Sequence, residues 1–230
     1  MSDIIPLSGP TLPPASGNPP KQLVILLHGV GADGQDLIGL APFFQQVLTD
    51  ALFVAPDAPH PFDMAPPGMQ VGYQWFPIGD FSHETRLRGA LAAAPHLDAF
   101  IDLLLENHGL DESDTLLIGF SQGSMMALHV GLRRPKQLAG IIAYSGMLVG
   151  PELLRREIKS KPPVLAMHGD GDDILPVESL PALVQGLEAA GVEVEHDIRP
   201  GLGHGIDEEE IRRGMAFVAR LFGIEAPAQP

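Results

Sequence analysis

The sequence predicts an α/β protein with a mostly parallel central sheet and helices on both faces, and three observations carry that reading. Short aliphatic runs alternate with stretches of helical periodicity along most of the chain. Several of those runs are almost unbroken in their apolarity, as expected of strands covered on both sides. The glycine-rich and polar clusters fall just past the ends of these runs, where the sites of open α/β sheets lie.

Residues 1–20 hold six prolines and small polar residues, and read as an extended arm. A single domain is expected over 21–224, followed by a short tail at 225–230. Gln22–His28 is the first strand and Leu52–Ala55 the second, closed by Pro56-Asp57-Ala58-Pro59. Between Pro56 and Arg86 no element is evident. This segment carries Phe62, Met64, Met69, Tyr73, Trp75, Phe76 and Phe81, too aromatic for a linker. It is expected either to wall a substrate pocket or to cover the sheet. His96–His108 places Leu97, Ile101, Leu104 and Leu105 on one helical face, with Gly109 as C-cap. Thr115–Gly119 is a strand. The helix after it meets Arg133 and Arg134 at its negative end and stops at Pro135. Ala139–Tyr144, Pro163–Met167 and Val192–Ile198 complete the strands. Glu178–Ala190 is helical through Leu180, Leu183, Val184 and Leu187. The last helix begins at Asp207, with Glu208, Glu209 and Glu210 suited to its positive end. Its apolar face is Ile211, Met215, Val218 and Phe222. No repeat and no second domain is visible.

Composition narrows the function. A net charge of −15 argues against nucleic acid and anionic membrane surfaces as partners. The absence of cysteine removes disulfides, thiolate metal sites and a cysteine nucleophile. The N-terminus lacks a charged n-region and apolar core, and no apolar run approaches the ~18–20 residues of a membrane span. A cytoplasmic protein with no membrane insertion is the expectation.

Gly119-Phe120-Ser121-Gln122-Gly123 carries the chemistry. Chance supplies such a match about 0.13 times in a chain of this composition, so the five residues alone say little. Their setting, between a strand and a helix, is that of a nucleophile elbow. A serine hydroxyl needs a base, and the base needs an acid to fix its tautomer. Downstream histidines are His129, within the elbow helix, His168, His196 in mid-strand, and His204. Only His204, in Gly201-Leu202-Gly203-His204-Gly205, occupies a loop between the last strand and the last helix. The acid is expected in His168-Gly169-Asp170-Gly171-Asp172-Asp173, with Asp172 first, Asp173 a close alternative and Asp170 third. His168 with these carboxylates could also attract a hard cation, but no complementary ligand set stands elsewhere, so neither metal nor cofactor is expected. Oxyanion donors are expected at Gln122 and in His28-Gly29-Val30-Gly31-Ala32-Asp33-Gly34, with Val30 preferred.

With those stretches, and with Pro56-Asp57-Ala58-Pro59 and Tyr144-Ser145-Gly146, the chain resembles the phospholipase/carboxylesterase family of α/β-hydrolases. That family includes small bacterial carboxylesterases and acyl-protein thioesterases. The resemblance spans about residues 22–222 and implies a single-domain α/β-hydrolase. By it, Ser121 is the nucleophile, His204 the base, Asp172 the acid, and Val30 and Gln122 the oxyanion donors. It also implies that Trp75 and the Ser145-Gly146-Met147-Leu148 turn border the acyl pocket, and it allows a homodimer. Met64 and Met69 join the pocket as part of the aromatic segment. The chain departs from the family pattern in two places. Asp173 stands where proline often follows the acid, and the proline-rich arm replaces early strands, so fewer than eight strands are expected.

Three functions follow in order. The first is a serine carboxylesterase acting on short to medium acyl esters through an acyl-enzyme. The second is an acyl-protein thioesterase or lysophospholipase with the same triad. The third is a hydrolase fold kept as a non-enzymatic binding module.

Overall fold

The computed structural model describes residues 4–69, 71–79 and 82–224. Its main sheet has seven strands in the order β1-β3-β2-β6-β7-β8-β9, with β1 (Thr11–Leu12), β2 (Gln22–Leu27), β3 (Ala51–Val54), β6 (Thr115–Phe120), β7 (Gly140–Tyr144), β8 (Val164–Gly169) and β9 (Val194–Arg199). All neighbours are parallel except β1, which runs antiparallel to β3. A separate two-stranded ribbon joins β4 (His60–Pro61) to β5 (Tyr73–Gln74).

Both faces of the inner strands are covered, and their unbroken apolarity splits by parity. Leu23, Ile25, Leu27, Leu117, Ile141 and Val164 face one layer, while Val24, Leu26, Leu116, Ile118, Ile142 and Leu165 face the other. The first layer holds α3 (His83–His108), α4 (Gln122–Gly131), α5 (Pro151–Glu157) and α6 (Ser179–Ala189) through Leu97, Met126, Leu154 and Leu183. The second holds α1 (Gly34–Leu37), α2 (Ala41–Gln45) and α7 (Glu208–Leu221) through Leu37, Phe44, Phe217 and Val218. β9, at the edge, buries none of its residues, so its sequence is mixed with polar residues instead of being an unbroken apolar run.

The N-terminal arm is tied down. Thr11–Leu12 pairs with β3, Leu7 is buried, and the Ile5 N–H donates to His96 Nδ1 at 3.1 Å. The expected tail at 225–230 lies outside the described residues, as does Phe81.

The segment from Pro56 to Arg86 is not without structure. It forms the β4–β5 ribbon and then enters α3 at His83, thirteen residues before the expected start. Pro95, which reads as a helix boundary, sits inside α3. The alanine-rich run before it has enough intrinsic preference to carry the helix through. Ser82 caps the true start by accepting from the Thr85 N–H at 3.2 Å.

α7 has an unusual first turn. Asp207 and Glu210 form a capping box, but Glu210 is fully buried and its Oε1 has no partner among the described residues. Burial, reinforced by the negative Asp207 and Asp197 nearby, pushes its carboxyl up to about 8. The folded state therefore holds the proton where the unfolded chain releases it. That stability is full below about 4.5 and is lost as pH rises through about 8. Glu210→Gln is expected to flatten this dependence. Its melting temperature should gain on that of the parent protein between pH 5 and pH 8, whereas parallel curves would show that Glu210 ionises freely.

Candidate active site

Four loops leave the carboxyl ends of β2, β6, β8 and β9 and converge. The turn from β6 into α4 is the tightest. Ser121 has φ +55° and ψ −117°, a strained conformation for a side-chain-bearing residue. A Cβ on Gly119 would lie 2.5 Å from the Gly123 carbonyl carbon, and one on Gly123 would run into the Leu27 carbonyl. Both glycines are thus demanded by close backbone approach rather than by flexibility. The turn is held by the Ser121 N–H donating to the Tyr144 carbonyl at 3.0 Å.

His204 stands between this serine and an acid. Ser121 Oγ lies 3.0 Å from His204 Nε2, and His204 Nδ1 lies 2.7 Å from Asp172 Oδ2. With Nδ1–H donating to the carboxylate, Nε2 is left as the acceptor for the serine hydroxyl. The Asp172 side chain is fully buried. Its Oδ1 accepts from the N–H groups of Ile174 and Leu175, each at 2.9 Å. Burial raises its carboxyl, but the His204 bond and these two N–H donors outweigh it and hold it below the usual carboxylate range. The other two carboxylates go elsewhere. Asp173 is exposed, and Asp170 accepts from the Gly201 N–H at 2.6 Å, bracing the loop that carries His204. His168 Nε2 donates to the Leu175 carbonyl at 2.9 Å and lies 3.2 Å from Asp172 Oδ2, so it packs beneath the acid. His129 is buried in α4, and burial lowers its imidazole to about 4, while His196 lies exposed on β9. Phe120 stacks its ring 4.9 Å from that of His204.

The β2 loop is clamped by the ribbon. Gly31 N–H donates to the Tyr73 carbonyl at 2.8 Å and Tyr73 N–H to the Ala32 carbonyl at 2.7 Å. Trp75, fully buried, donates from its indole N–H to the His28 carbonyl at 3.0 Å. The Gln122 side chain completes the clamp, accepting from the Trp75 N–H at 2.8 Å and donating to the Phe76 carbonyl at 2.7 Å. The N–H groups of Val30 and Gln122 find no acceptor among the described residues. Gln122→Ala would orphan two buried backbone groups, at about 1–3 kcal/mol each. A melting temperature unchanged in that variant would contradict the clamp.

A cavity of about 460 Å³ opens onto Ser121 and His204. Val30 and Gln122 line it, and Met64 stands at its rim, 68% exposed. The remaining pocket expectations fall differently. Trp75 lies behind the wall as a brace, because its indole N–H is satisfied by the His28 carbonyl rather than pointing at the cavity. Met147 lines an adjoining cavity of about 420 Å³, Leu148 packs toward Gly186, and Met69 is 61% exposed and lines neither. Phe76 and Ile78, in the segment expected to wall a pocket, do line the cavity; Phe120, Met125, Ile174 and Leu175 line it without having been anticipated. A signal existed for Met125, one helical turn beyond Ser121, and for Ile174 and Leu175, two and three residues after Asp172 in the chain.

A parallel sheet, a strained serine elbow and a histidine loop after the last strand define an α/β-hydrolase. The chain belongs to the Phospholipase/Carboxylesterase family, whose model matches residues 14–221. Among solved structures, esterase PE8 is similar with a TM-score of 0.89 and 46% identity, covering 94% of this chain and 100% of that one. Esterase YpfH of Escherichia coli (strain K12) is 27% identical over 194 residues, 84% of this chain and 80% of its own. Acyl-protein thioesterase 1 of Kluyveromyces lactis is 25% identical over 220 residues, 90% of this chain and 94% of its own. Among the described residues no helix is long and apolar enough to cross a membrane.

Proposed function

We propose that this protein is a carboxylesterase that cleaves esters of short to medium acyl chains through a Ser121–His204–Asp172 triad. The observation that carries the reading is the continuous chain from Ser121 Oγ through His204 to Asp172, at 3.0 and 2.7 Å, opening into an apolar cavity. In the acylation step, His204 Nε2 takes the hydroxyl proton as Ser121 Oγ bonds to the ester carbonyl carbon. The carbonyl oxygen becomes an oxyanion, received by the N–H groups of Val30 and Gln122. The bond to the alcohol oxygen then breaks, and His204 returns the proton to the departing alcohol. Water repeats the cycle on the acyl-enzyme, releasing the acid and restoring Ser121.

The cavity volume lies in the lower half of the ~300–1,000 Å³ typical of small-molecule sites, which favours short and medium acyl groups. The adjoining cavity, which shares Arg86, Ile174 and Leu175 with it, favours a second reading as a thioesterase or lysophospholipase with longer chains. A series of p-nitrophenyl esters from acetyl to palmitoyl, beside matched thioesters, separates the two. The first reading expects kcat/KM to fall steeply beyond about eight carbons. A maximum at palmitoyl, or a preference for thioesters, would displace it.

A further inference from the structure

The catalytic cavity holds one residue that ester cleavage alone does not require. Apart from His204, Arg86 is the one ionisable side chain among its lining residues, the rest being mainly apolar. Arg86 also lines the adjoining cavity, so it stands where the two spaces meet. It lies near the start of α3, where a cation opposes the helix dipole, so helix stability does not account for it. Acidic residues outnumber Lys and Arg by 29 to 14 in this chain. Even so, Arg86 forms no ion pair among the described residues.

We propose that Arg86 is an anion subsite, and that the preferred substrates are esters carrying a carboxylate on the arm that reaches it. The inference rests on the Ser121 reading above. A guanidinium matches a carboxylate in a two-point, charge-assisted hydrogen bond, and apolar surroundings strengthen that attraction. The reaction is unchanged. A carboxylate on the acyl arm yields a dicarboxylic acid and an alcohol, and one on the alcohol arm yields a hydroxy acid.

Two substrate pairs distinguish the arms: monoethyl adipate against ethyl hexanoate, and 6-acetoxyhexanoate against hexyl acetate. In one pair, Arg86→Gln should lower the charged-to-neutral ratio of kcat/KM about tenfold relative to the parent protein, with Arg86→Lys retaining part of it. The pair that responds identifies the arm. The parent protein's ratio should also fall as salt rises from about 0.05 to 0.5 M, a test that holds even if the glutamine variant fails to fold. Ratios indifferent to Arg86→Gln, or to salt where that variant is unfolded, would overturn the subsite while leaving the esterase reading intact. Failure of the parent protein to cleave any of the four would instead strike at Ser121 itself, and the subsite with it.

Discussion

Ser121→Ala is expected to lower kcat by ~10⁴–10⁶ while leaving the protein folded. Among the described residues the hydroxyl is bonded only to His204, so its removal strands no backbone group there. Alanine inherits the same positive φ, so the strain of the elbow is common to both proteins. Activity and stability should therefore separate: turnover disappears and the melting temperature stays within a few degrees. Residual catalysis would come from the N–H groups of Val30 and Gln122, which still face the carbonyl oxygen. A variant retaining most of its activity would remove serine chemistry from the account.

Asp172→Asn should cost nearly as much, about 10⁴ in kcat, and by a subtler route. An asparagine oxygen could still accept from the N–H groups of Ile174 and Leu175. Its amide would then turn N–H toward His204 Nδ1 and force the proton onto Nε2, the atom that must accept from Ser121. The base would be present but in the wrong tautomer. Asp173→Asn is the matched control, since that side chain is exposed, and it should change kcat by less than about threefold. Equal losses in the two variants would reopen the choice of acid. Stability should respond as well. A carboxylate held below its ordinary range stabilises the fold above the unfolded value of 3.8, and that contribution is lost as pH falls through the folded value. The parent protein should therefore lose melting temperature on acidification more steeply than Asp172→Asn.

The strands were the most legible part of the chain, because burial on both faces leaves an aliphatic run that few other elements produce. The two core layers follow from the same runs once parity is applied, as Leu23, Ile25 and Leu27 against Val24 and Leu26 show. Short helices were not legible. α1 and α2 span four and five residues, too few for periodicity to register, and α5 spans only seven. α3 was misplaced at its start because a proline that the helix tolerates looks the same in sequence as one that ends it.

Ser121 and His204, which lie within hydrogen-bond distance of each other, were readable as candidates because each sits in a short motif with its own local geometry. What sequence could not settle was which of Asp170, Asp172 and Asp173 faces His204, since that depends on how one turn of β8's loop is laid. Trp75 shows the same limit. An aromatic residue in a long loop near a site can line the pocket or brace it, and its indole N–H bond to His28 decides for bracing. Arg86 was invisible in sequence because it falls at the end of a segment in which no element was evident, before the true start of α3 at His83 was known.

The most direct test of the central claim is labelling with a fluorophosphonate, followed by peptide mapping of the modified residue. The probe reacts with a serine only where a base and an oxyanion site act together. One adduct is expected, on Ser121, lost in Ser121→Ala and much slowed in Asp172→Asn. Folded parent protein that takes up no label, or carries it on another residue, would contradict it.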